Sequence, residues 1–111
     1  MDLDRARRLA LALPDTHEQP HHDLTSFRVG TKIFATAPPN GDHLRIFVDE
    51  DETRACVAED PDVFAELWWG KNLAGVKVDL GRADPERVAE LLAEAWERKR
   101  VTPRKRASGG R

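Results

Sequence analysis

The chain has no tyrosine, one cysteine and one methionine among its 111 residues, and aromatic side chains make up only 6% of it. A lone Cys56 rules out the disulfide framework of small secreted domains and leaves no paired cysteines for a tetrahedral zinc site. No apolar run approaches the ~20 residues that cross a bilayer. Asp2, Asp4, Arg5, Arg7 and Arg8 interrupt the first segment, so no signal-peptide hydrophobic region is read there. Glycine-rich phosphate loops and nucleophile elbows are missing too. These absences predict a cytoplasmic protein that is not an enzyme, uses no cofactor and has no membrane partner.

What is present is charge, unevenly placed. The formal net charge is -2, from 18 basic and 20 acidic residues. Seven of the basic residues are Arg98, Lys99, Arg100, Arg104, Lys105, Arg106 and Arg111, in a stretch with no acid. Residues 1–97 therefore hold 11 basic against 20 acidic side chains, a body of about -9. Such a body repels a phosphate backbone, so any nucleic-acid contact has to come from a local basic strip or from the C-terminal end.

The length is that of one domain, read as residues 1–103 with a basic, disordered tail over 104–111. Asp2 caps a helix running to Leu13, with Leu3, Ala6, Leu9, Ala10 and Leu13 at helical spacing, and Pro14 ends it. A polar link leads to a β-hairpin, Leu24 to Val29 and Lys32 to Ala37, around Gly30-Thr31. Pairing of Val29 with Lys32 sets Phe27 opposite Phe34. It puts Thr25, Phe27, Val29 and Phe34 on the core face, with Ser26, Arg28, Ile33 and Ala35 on the other.

His43 to Val48 alternates as a third strand, with Leu44, Ile46 and Val48 inward and His43, Arg45 and Phe47 outward. Asp49 and Glu52 form a capping box for a short second helix ending before Pro61. Glu66 to Trp69 is read as a strand, and Val76, Val78 and Leu80 mark a fifth. Asp84 and Pro85 then open a last helix with Val88, Leu91, Leu92, Ala95 and Trp96 on one stripe. The order α-β-β-β-α-β-β-α predicts an α+β domain, an antiparallel sheet with helices packed on one face.

From about Ala10 to Lys105 the chain resembles the MmcQ/YjbR family. The carriers are Leu11-Ala12-Leu13-Pro14, His22 ahead of Ser26-Phe27-Arg28-Val29, then Gly30, Lys32, Phe34 and Ala35. Trp69-Gly70-Lys71, Gly75-Val76-Lys77-Val78-Asp79-Leu80, Ala95-Trp96 and Pro103-Arg104-Lys105 follow. The sequence departs where the family often carries a Trp after the glycine of the last strand: Val76 follows Gly75, and Trp68-Trp69 supply aromatic bulk. The resemblance implies a CyaY/frataxin-like fold and DNA binding, with no catalytic constellation.

Arg28, Arg45 and Lys77 fall on the sheet face opposite the core with Phe47 beside them, a pattern suited to holding phosphate and stacking a base, although alternating strands place charge on a wet face anyway. Lys32 at the hairpin turn and Lys71 in a loop are further candidates, marked by the resemblance. Arg104, Lys105 and Arg106 belong to the basic end. The partner these residues predict is DNA, held weakly and salt-dependently by a monomer. The alternatives are an acidic body that selects a cationic protein or small ligand, and a frataxin-like module binding a divalent cation at Asp49 to Glu52. His17, Glu18, His21, His22 and Asp23 are competent ligand types, but Pro20 breaks the helical spacing of His17 and His21, so no metal site is assigned. Cys56 is read as a small buried hydrophobe.

Overall fold

Short polar side chains start each helix. In the computed structural model, which describes residues 1–100, the Asp2 carboxylate accepts the Arg5 N–H at 2.9 Å and opens α1 (Leu3–Leu11). Asp49 does the same for the Glu52 N–H at 2.9 Å and opens α2 (Glu50–Glu59). Asp84 accepts the Glu86 N–H at 3.3 Å ahead of α3 (Pro85–Arg100). Each cap satisfies an amide that the helix itself leaves without a partner.

Six strands form one antiparallel sheet: β1 (Thr16–His21), β2 (Leu24–Val29), β3 (Lys32–Ala37), β4 (His43–Ile46), β5 (Phe64–Trp69) and β6 (Asn72–Asp79), ordered β1-β2-β3-β4-β6-β5. The architecture is the α+β class with all helices on one face, because Ala6 and Ala10 of α1, Cys56 of α2 and Val88, Leu91, Leu92 and Ala95 of α3 share one buried cluster with Phe27, Leu44, Ile46, Val76 and Val78. Among the described residues the opposite face of the sheet carries no helix. The basic residues Arg104, Lys105 and Arg106, Pro103 and the expected domain limit at 103 lie outside the described residues.

The structure corrects two sequence expectations. The polar link before the hairpin is a strand, β1, which makes the order α-β-β-β-β-α-β-β-α. Its pairing with β2 explains why so polar a segment is extended. Glu18 accepts two hydrogen bonds from Arg7 of α1, at 2.7 and 3.2 Å, and one from Thr25 Oγ1 at 2.6 Å. Burial opposes the Glu18 charge, yet these donors hold its carboxyl below the usual range. Pro20 is tolerated because β1 is an edge strand.

The second correction concerns register. Val29 does pair with Lys32, but the ladder shifts between Phe27 and Arg28, so Phe27 lies opposite Ala35 rather than Phe34. Phe34 is the extra residue of a bulge. Phe27, Phe34 and Ala35 are all fully buried, which moves Ala35 from the expected outer face into the core. Ser26, also expected outside, is buried beneath Arg28 and donates to the Gln19 carbonyl at 2.6 Å.

Cys56 is fully buried as expected. Burial pushes its thiol up to about 12; the Arg87 charge opposes that shift and Glu52 adds to it. The sign for stability follows directly: the unfolded thiol ionises near 9.0, the folded thiol holds its proton longer, so the contribution present below pH 9 is lost between 9 and 12. Urea midpoints of the natural chain and Cys56→Ala are expected to converge as pH rises from about 8 to about 10.5. A constant difference between them would contradict this placement of the thiol.

Candidate functional site

The cations of this protein divide into those with a carboxylate partner and those without. Arg7, Arg54, Arg82, Arg87 and Arg100 have carboxylate partners, and Arg87 alone reaches Glu52, Glu59 and Glu90 at 2.8 to 3.2 Å. Arg5 and Arg8 of α1, and Arg28, Lys32, Arg45, Lys71, Lys77, Arg98 and Lys99, have no acidic partner within salt-bridge distance among the described residues. The carboxylates of α2 and of α3 (Glu86, Glu90, Glu94 and Glu97) are carried on the helix layer. The unpaired positive charge is therefore shared between Arg5 and Arg8 on the helix layer and the seven cations on the sheet, its turns and the end of α3.

One row of side chains crosses that face through register: Gln19, Ser26, Thr36, Arg45, Lys77 and Ala65 are successive Cα partners on β1, β2, β3, β4, β6 and β5. At the end holding the Gly30-Thr31 turn, the face sinks into an open basin of about 650 Å³. Ile33, Thr36, Arg45 and Phe47 line it together with Lys32, Trp69 and Lys99, and the His21-His22-Asp23 turn closes one side. Arg45 Nε is buried there without a hydrogen-bond partner, so the guanidinium holds an unused donor beside the basin.

Two rings form the apolar part. Phe47 is buried, whereas Trp69 is 58% exposed, and the two pack with centroids 5.1 Å apart at 56°. Lys99 Nζ stands 5.9 Å from the Phe47 ring centroid. Burial, with Arg98 and Lys32 nearby, holds the Lys99 ammonium below the ordinary lysine range. An anion entering the basin relieves that repulsion.

The backbone under Phe47 is fixed at three points. Its N–H donates to the Phe34 carbonyl at 3.1 Å, and its carbonyl accepts Arg98 Nη1 at 2.7 Å. Gly75 of β6 lies against it so closely that a Cβ there would fall 2.9 Å from Phe47 Cα and well inside the Ile46 carbonyl oxygen. The glycine therefore admits the chain where it leaves β4.

The expected site residues separate on this geometry. Lys32 and Arg45 meet in the basin. Arg28 is on the same face, half-buried, with its Nε donating to Ser26 Oγ at 3.0 Å. Lys77 lies next to Arg45 across the strands but lines a separate depression with Asp42, Asp62 and Asp79. Lys71 is exposed at the β5–β6 turn, outside the basin. A continuous basic strip along the sheet is thus replaced by a cationic end and an acidic end. Lys99 is the member that strand alternation did not single out; its signal was the run of cations in the last turn of α3. Among the described residues no group of three or more His, Cys, Asp or Glu is arranged to hold a metal ion, and none of the helices is long and apolar enough to cross a membrane.

The fold and basin define a class: a small α+β protein whose helix layer is acidic and whose sheet is left open, with unpaired cations around an exposed tryptophan. The chain belongs to the YjbR family, whose model matches residues 11–98. It is 28% identical over 111 residues, with 84% of each chain covered, to the uncharacterized proteins Rv2570 of Mycobacterium tuberculosis and Mb2600 of Mycobacterium bovis. The crystal structure of Deinococcus radiodurans protein DR2400, domain DUF419, has the same fold, with a TM-score of 0.77 at 23% identity over 98% of this chain and 88% of that one.

Proposed function

We propose that this protein is a non-enzymatic nucleic-acid-binding module that holds phosphate weakly, and salt-dependently, on the open sheet face. The observation that carries the reading is the set of cations with no carboxylate partner, Lys32, Arg45 and Lys99 in the basin and Arg28 beside it. Unpaired cations gathered around one basin of an acidic protein give a local field that favours a polyanion there. Arg104, Lys105 and Arg106 add sequence-independent charge at the C-terminal end.

The carboxylates of α2 and α3 keep binding weak, because they repel a strand lying over those helices. Carboxylates at Asp49 to Glu52 have structural duties instead, since Asp49 caps α2 and Glu52 pairs with Arg87 at 2.8 Å. That arrangement favours the nucleic-acid reading over a cation-binding ridge.

Fluorescence anisotropy with a labelled oligonucleotide tests it. Four phosphate contacts give a slope of log affinity against log salt of about -3 to -4, with further steepening from residues 101–111 that their deletion removes. A slope near zero, or no binding at the lowest salt, would refute the reading.

A further inference from the structure

Resting on the nucleic-acid reading above, we infer that the bound form is a single strand, with one unstacked base laid on Trp69 and its flanking phosphates on Lys32, Arg45 and Lys99. Trp69 is the most exposed large hydrophobic side chain of the described residues, yet it is not a stray surface ring. Phe47 backs it at 5.1 Å, and three tethers hold Phe47. An exposed indole packed against a buried ring whose backbone is fixed offers a stacking platform.

The surroundings select the strand form. The basin is concave, and Lys32, Arg45 and Lys99 line it together with Phe47 and Trp69. A duplex offers phosphate at its surface but keeps its base faces inside the stack, so it reaches the rim cations without reaching the ring. A flexible single strand turns a base out and satisfies both. The volume of about 650 Å³ lies within the range of small-ligand pockets and suits one or two nucleotides.

Trp68 supplies an internal control. It is 45% exposed, but its Nε1 donates to Glu66 at 3.0 Å and it does not line the basin. With the full chain at low salt, a labelled oligo-dT is expected to bind several-fold more tightly than a duplex of equal length. Trp69→Ala should weaken oligo-dT about tenfold, Trp69→Phe should recover much of that loss, and Trp68→Ala should change little.

An abasic strand of equal charge makes the same test without altering the protein, and is expected to lose about the same factor. Equal or tighter duplex binding, or an abasic strand bound as well as oligo-dT, overturns the stacking inference while leaving the phosphate contacts standing. Failure of every probe to bind removes the functional reading itself.

Discussion

Gly75→Ala is expected to destabilise the protein by about 3 kcal/mol or more, the largest effect of any small substitution outside the hydrophobic cluster. The added methyl would meet backbone on two sides, the Ile46 carbonyl and Phe47 Cα. Neither can move as a side-chain tip would, because Ile46 pairs with both Ala35 and Val76 and Phe47 is hydrogen-bonded to Phe34 and Arg98. Gly30 gives the comparison. It has φ +61° but open space around its missing Cβ, so Gly30→Ala carries only the left-handed penalty of about 1–2 kcal/mol. Urea melts of the two variants against the natural chain check the order; a Gly75 variant no worse than the Gly30 variant would show that the crossover adapts. Because Phe47 supports Trp69, any Gly75 variant that still folds should also bind oligonucleotide less well.

Replacing Lys32 by Glu together with Arg45 by Gln is expected to lower oligonucleotide affinity about a hundredfold at low salt. The pair removes two of the cations in the basin and sets an anion at its rim. Arg45 is suited to the change because its Nε has no partner, so removing the guanidinium strands no acceptor and the fold should tolerate it. Lys71→Glu with Lys77→Gln makes the same change in net charge outside the basin and should cost only a few-fold. Anisotropy titrations of both pairs, with thermal melts to confirm folding, separate a localised site from general electrostatics. Equal losses for the two pairs would contradict the basin.

Much of the fold was legible because its signals are local. Asp2, Asp49 and Asp84 announced three helix starts, and alternation in Leu44 and Ile46 announced β4, which ends at Ile46 rather than at the expected Val48. The polar residues Thr16 to His21 gave no such signal, since Glu18 is satisfied by Arg7 and Thr25 rather than by neighbours in sequence. The Phe27 register failed for a related reason. A strict period of two cannot foresee the extra residue at Phe34, which lets Phe34 and Ala35 both enter the core.

The candidate site was legible in parts. Arg45, Phe47 and Lys32 could be assigned to a face or a turn by counting, whereas Trp69 was placed only at the end of a strand. Their convergence could not be counted, because it depends on β5 pairing beyond β6 and on α3 ending above the same end of the sheet.

The sequence by itself determined the helix caps, the alternating strands, the family membership carried by ordered motifs and the excess of acid over base before residue 98, since each depends on residues close together or on totals. Tertiary structure alone decided which cations lack a carboxylate, that Lys99 joins Lys32 and Arg45, and that Trp69 stands exposed on Phe47. Those are facts of strand order and helix length, and side-chain neighbours across a sheet are set by pairing between distant segments, which no local pattern encodes.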